Sequence, residues 1–113
     1  MARRRPYKER YIKELLEDGE NVAVEGIVLD FDVNRAQGRV DDGTAVATIV
    51  LENVIFAEEM KAGRFVRVVG RSYISSEGRV IRADAVHGLD GINPVLYKKV
   101  KEIERRVYHE GGV

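Results

Sequence analysis

At 113 residues, with 34% of them charged and no cysteine, the chain has room for one hydrophobic core and excludes disulfides, thiolate metal sites and cysteine chemistry. No apolar run reaches the ~20 residues that a membrane-spanning helix needs, and the basic opening "MARRRPYKER" is not followed by the apolar stretch of a secretory signal, so a cytoplasmic, nucleoid-associated location is expected. Formal charge is zero but uneven: residues 1–13 carry net +5, residues 14–93 net −7 and residues 94–113 net +2, so any phosphate-binding surface must be local.

In chain order, residues 1–19 read as a basic arm and a short amphipathic helix. Pro6 opens it, and Tyr7, Tyr11, Ile12, Leu15 and Leu16 recur at spacings of three and four up to Gly19. "NVAVEGIVLDFDV" then alternates as a strand, with Gly26 placed for a bend. The stretch "GRVDDGTAVATIVL" forms a hairpin, because Asp-Gly tolerates the positive φ of a tight turn. "VIFAEEMKAG" gives one or two helical turns. "RFVRVVGRSYI" and "RVIRADAVHGL" are strands joined by "SSEG", with Gly70 bending the first. Asn93 caps a last helix that begins at Pro94 and runs to about Tyr108.

Five short strands over residues 20–92, a helical turn between the third and fourth, and helices at both ends predict an all-β, Greek-key OB-fold barrel with no parallel pairing. An SH3-like barrel is the competing arrangement. Closure removes the exposed edges that an open sheet of this length would leave.

The stretches "VAVEGIVLDF", "GRVDDGTAVATIVL" and "GRFVRVVGRSYISSEGRVIRADAVHGLDGINPVLYKKVKEI" resemble the OB domain of the middle and small replication protein A subunits and of their telomere-capping relatives. Those domains share a glycine-bent first strand, a turn close to Asp-Asp-Gly-Thr-Gly, a V-x-V-x-G fourth strand and a C-terminal helix begun near an Asn. The present chain departs by Ala45 at the second turn glycine, and lacks the winged-helix domain of the middle subunit. The resemblance implies a single-OB small subunit of an archaeal replication protein A, working in DNA replication, repair and recombination within a heterotrimer, with larger OB-fold subunits as partners. A charged composition with one Gln and four Asn agrees with a thermophilic source.

Period-two alternation places Phe65, Arg67, Val69, Arg71 and Tyr73 on one face. OB domains hold single strands with cationic side chains along the backbone and aromatic rings under the bases. Arg67, Arg71 and Tyr73 fit that chemistry, joined by Arg79 and Arg82 across the "SSEG" hairpin and by Phe31, Arg35 and Arg39 around the first loop. A bland reading stands beside it, in which these arginines pair with surface carboxylates and Phe31 belongs to the core. The run "RRRPYKER" reads either as an arm that follows phosphates or as a solubilising end.

In the last helix Leu96, Val100, Ile103 and Val107 fall at spacings of four, three and four, a narrow seam that suits a partner helix or, on the competing reading, packs back onto its own barrel, while Lys98, Lys99, Lys101, Glu102, Arg105 and Arg106 occupy other faces. Asp41 and Asp42 read as turn chemistry rather than a metal pair, His87 and His109 as bystanders, and no P-loop or dinucleotide fingerprint occurs. No enzyme activity, cofactor or metal is expected. Two functions remain: a scaffold subunit of a single-stranded-DNA-binding complex with weak intrinsic binding, or an autonomous OB protein contacting single-stranded DNA or RNA. The acidic body favours the first.

Overall fold

Strands form where β-branched residues alternate. The computed structural model describes residues 7–89 and 91–111, with side chains as far as residue 105. A two-residue strand β1 (Lys8–Glu9) precedes β2 (Asn21–Asp32), β3 (Gln37–Asp41), β4 (Val46–Leu51), β5 (Phe65–Ser75), β6 (Gly78–Gly88) and helix α1 (Pro94–Gly111). Strands β2 to β6 close into a five-stranded barrel in the order β2-β3-β4-β6-β5, with β5 pairing back onto β2. The inward positions of each strand, among them Val24, Val40, Ile49, Val68 and Ile81, share one core sealed by Ile12, Leu15 and Met60.

The two glycines bend the barrel as the sequence predicts. β2 leaves β5 and joins β3 at Ile27, which pairs with both Phe65 and Asp41. Gly26 stands just before this handover, where an added Cβ would lie 2.6 Å from the Asp41 carbonyl oxygen and 2.7 Å from Val40 Cγ1. At Gly70 the β5–β6 register shifts, and a Cβ there would run into the Arg82 carbonyl.

Two expectations fail. The sheet contains parallel pairs, β4 with β6 inside the barrel and β1 with β2 at its margin. The crossover from β4 to β5 passes over the barrel end through a 3-10 turn (Val54–Glu59), so the returning β6 lies beside β4 in the same direction. Greek-key closure therefore needs this parallel contact, which the expectation of antiparallel pairing alone overlooked.

The N-terminal helix is also absent: among the described residues the segment contains β1 and a single 3-10 turn, Ile12–Glu14. The carbonyls that an α-helix would have used internally go elsewhere. Arg79 donates to the Leu15 and Lys13 oxygens at 3.2 Å each, Ser72 Oγ donates to the Glu17 oxygen at 3.0 Å, and the Arg10 amide joins Ala23 at 3.0 Å. Tertiary partners outweigh a helix this short. Ile12 and Leu15 are nonetheless fully buried, whereas Leu16 is exposed. Pro6 and the arginines before it lie outside the described residues.

The acidic turn is an anchor. Gly43 has φ 90°, and Asp41 Oδ1 accepts its amide at 2.7 Å. Asp42, only 5% exposed, accepts from the Thr44 amide (2.9 Å) and hydroxyl (2.6 Å) through Oδ1, and from the Ile12 amide (2.7 Å) through Oδ2.

Gly26→Ala should lower stability by about 1–3 kcal/mol through overpacking against β3, read as a shifted urea midpoint at constant m value. An unchanged midpoint would mean that β2 turns elsewhere. Asp42→Ala strands buried N–H donors and should cost about 3 kcal/mol or more, with Asp42→Asn intermediate. Equal stability of both variants and the wild type would refute the anchoring role.

Candidate nucleic-acid and partner interfaces

Strand register brings four of the predicted residues onto one outer surface. Arg71 lies opposite Arg82, which aligns with Val50 and then Gln37. Two residues along, Tyr73 lies opposite Val80, which aligns with Thr48, Arg39 and Asp30. Arg39, Arg71, Tyr73 and Arg82 thus share the outer face of β3, β4, β6 and β5, and Arg35 stands at its margin in the loop after β2.

Most of this positive charge is already engaged. Arg39 reaches Asp30 at 2.5 Å, Arg82 reaches Glu52 at 2.5 Å, and Arg35 is 3.9 Å from Asp32. Through its hydrogen bond with Arg39, the Asp30 carboxyl is held below its ordinary pKa. Arg71 is exposed and makes no ion pair or hydrogen bond with a described residue. It borders a cleft with Asn21, Tyr73 and Asp84. Tyr73 is half-exposed beside the cleft, and the exposed Tyr7 donates its hydroxyl to Asp84 there at 2.6 Å.

The other predicted binding residues serve different purposes. Arg67 is held by Glu9 (3.3 Å) and Glu25 (3.2 Å) beneath α1. Arg79 binds the N-terminal carbonyls described above. Phe31 is partly buried against the core, the bland reading of that residue. Alternation identified the outward face of β5, but not that α1 covers one end of it.

Asn93 Oδ1 accepts the Val95 and Leu96 amides at 3.0 and 3.2 Å, the cap read from the sequence. The helix then sits on the barrel by its polar side. Lys101 Nζ is 2.8 Å from Glu9 Oε1, Arg105 Nη2 is 2.9 Å from Glu14 Oε1, and Lys98 Nζ donates to the Asp42 carbonyl. The Arg105 guanidinium lies 4.2 Å over the Tyr11 ring, and Tyr97 stands edge-on to Phe65 at 5.7 Å. Sequence reasoning put these cations on unassigned faces. The signal that would have placed them is the run of acids beneath, Glu9, Glu14 and Glu25.

Docking by that stripe turns Leu96, Val100 and Ile103 away from the barrel, roughly 165° around the helix at 3.6 residues per turn. They are 61%, 48% and 55% exposed, and Val95 is 74% exposed. Val107 lies beyond the described side chains. Beside the N-terminal end of α1, Ile27, Leu29 and Val95 line a shallow apolar groove.

The ion pairs under α1 perturb its acids in two directions. Burial raises the Glu9 carboxyl, but Lys101 and Arg67 outweigh it and the net pKa falls below 4.5. Burial likewise opposes the Tyr11 amide and Arg105 at Glu14, with the same net fall. Glu25 is pushed up, because burial exceeds the attraction of Arg67.

No protein-family model matches the chain, and no curated protein matches it in sequence. Solved structures do. The Stn1–Ten1 complex of S. pombe contains a chain similar at 18% identity and TM-score 0.69, over 90% of this chain and 94% of that one. Replication protein A of U. maydis bound to single-stranded DNA matches at 16% identity and TM-score 0.66, over 95% and 96%. The second OB-fold domain of replication protein A from Methanococcus maripaludis matches at 17% identity and TM-score 0.59, over 76% and 99%. The barrel is of the OB type. At these identities the likeness is one of fold.

Because Glu9 and Glu14 have lowered folded-state values, their contribution to docking is fully present above the ordinary glutamate pKa and is lost as pH falls through the lowered values. Glu25 works in the opposite sense, since acid neutralises its buried charge. With two lowered carboxyls making direct helix contacts against one raised, acidification below ~4 should loosen α1. The Tyr97 ring NMR shifts should then move towards those of an undocked helix, and shifts constant down to pH ~2 would contradict ionic docking.

Proposed function

We propose that the chain is a small single-OB subunit of a replication protein A-like, single-stranded-DNA-binding complex, acting mainly as a scaffold that assembles with larger OB-fold subunits through α1. The observation that carries this reading is the orientation of the helix. Its cations face the barrel, and Leu96, Val100 and Ile103 face solvent. A stripe of that spacing suits another helix. The fold likeness to a chain of a Stn1–Ten1 complex and to a replication protein A bound to single-stranded DNA supports the same class of role.

Val100→Asp with Ile103→Asp tests it on one protein. Since both side chains point away from the barrel, thermal unfolding should be nearly unchanged, while two charges in a helix contact cost several kcal/mol and should abolish co-purification with the larger subunits. A mutant that unfolds far below wild type would place the seam inside the molecule. One that stays folded and still assembles would remove α1 from the interface.

The second reading, an autonomous OB protein contacting single-stranded DNA or RNA, draws on Arg71, which can meet a phosphate without breaking an ion pair. With the other arginines of that face committed to carboxylates, binding by the isolated chain should be weak and its salt dependence shallow. Replacing Arg71, Tyr73 and Arg82 together by Ala should reduce oligonucleotide binding more than replacing Arg105 and Arg106. Fluorescence anisotropy at several salt concentrations measures both. Nanomolar binding by the isolated wild type would favour the autonomous protein, and a triple mutant that binds as well as wild type would discard this face.

A further inference from the structure

The outward seam of α1 carries a charge pattern of its own. With Leu96 and Ile103 at heptad position d and Val100 at a, Lys99 falls at g and Glu104 at e, one on each side of the seam. Both are exposed. Lys99 makes no ion pair or hydrogen bond with a described residue, and Glu104 has only a long contact of 3.7 Å to Lys101. In a parallel, in-register pair of helices, position g of one faces the following e of the other. Two copies of α1 arranged in this way bring Lys99 of each against Glu104 of the other, two complementary pairs from a single sequence. An antiparallel arrangement sets g against g and e against e, so the complementarity is lost.

We propose that this chain, without its larger partners, self-associates through a parallel, two-stranded pairing of α1 with α1 of a second copy. The inference rests on the reading of the seam as an assembly surface, and commits its occupant. β-branched Val100 at a with Leu96 at d favours two strands while Ile103 at the second d favours more, so the two-stranded parallel pairing rests on the Lys99–Glu104 complementarity. The barrels do not obstruct the pairing. Each is docked on the Lys98, Lys101 and Arg105 stripe, which faces away from the seam, so a twofold axis along the helices leaves the two barrels on opposite outer sides. An 18-residue helix offers only two to three heptads, so the dimer is weak and depends on concentration.

Sedimentation equilibrium of the full chain at rising concentration tests this. A monomer–dimer equilibrium is expected. Lys99→Glu and Glu104→Lys each turn two attractions into two repulsions and should weaken dimerisation roughly tenfold, and the double variant carrying both should restore it. Both side chains are exposed, so circular dichroism should show unchanged folding in all three. A wild type that stays monomeric, a trimer, a Lys99→Glu variant that dimerises as well or better, or a double swap without rescue would overturn the proposal. Co-purification with the larger subunits keeps the two readings apart: a monomeric chain that still assembles with them rejects the second copy and leaves the scaffold reading intact, whereas loss of both rejects the seam as an interface.

Discussion

One buried carboxylate joins parts of the chain that the barrel would otherwise leave separate. Asp42 lies in a hairpin turn, where its neighbours need backbone acceptors, and it also accepts the Ile12 amide from a segment thirty residues away. A carboxylate at 5% exposure is tolerable only when its oxygens are occupied. This requirement ties the N-terminal segment to the β3–β4 turn. Once that segment is fixed, Ile12 and Leu15 close the core, and Tyr11 and Glu14 are set out as a landing surface for Arg105. The main-chain oxygen of the same Asp42 receives Lys98.

Electrostatics, rather than apolar burial, sets the rotation of α1 about its own axis. Had the helix docked by Leu96, Val100 and Ile103, Glu14 would lose Arg105 and Glu9 would keep only Arg67, which it shares with Glu25, and a partly buried carboxylate short of a partner costs more than an exposed valine. The ion pairs are individually modest, because their side chains keep 21–35% exposure and water screens them. Together they select one orientation of the helix. The apolar seam is therefore a consequence of the acidic surface beneath the helix.

The strands, both hairpins, the bends at Gly26 and Gly70 and the Asn93 cap were legible because each depends on local chemistry: alternation, an Asp-Gly turn, a Cβ that does not fit, a side-chain acceptor before Pro94. The N-terminal segment was misread because its periodicity is real, and Ile12 and Leu15 do point inward, but Arg79, Ser72 and Asp42 take the backbone groups a helix needs. No local pattern records such distant donors and acceptors. The parallel β4–β6 contact was missed for a related reason, since strand direction depends on where the crossover passes. At the candidate binding face, alternation identified the outward residues of β5, yet covering of Arg67 and diversion of Arg79 depend on elements far away in sequence.

The outer face of β3, β4, β6 and β5 joins these constraints to function. A phosphate arriving at Arg39 or Arg82 meets a guanidinium already hydrogen-bonded to Asp30 or held by Glu52, so the gain is the difference between two ion pairs, and the displaced carboxylate is left facing an anion. At Arg71 no such exchange is needed. Among the described residues, one uncommitted cation with the Tyr73 ring beside it and Tyr7 at Asp84 amounts to a contact of a few nucleotides, whereas an OB domain that binds alone spans a longer stretch of strand. Such a face works best when a neighbour supplies the remaining contacts, and the helix that would recruit that neighbour leaves the strand-binding surface uncovered. Under the proposed scaffold role, the carboxylates that hold α1 in place and those that neutralise Arg39 and Arg82 act in the same direction, favouring assembly over binding by the isolated chain.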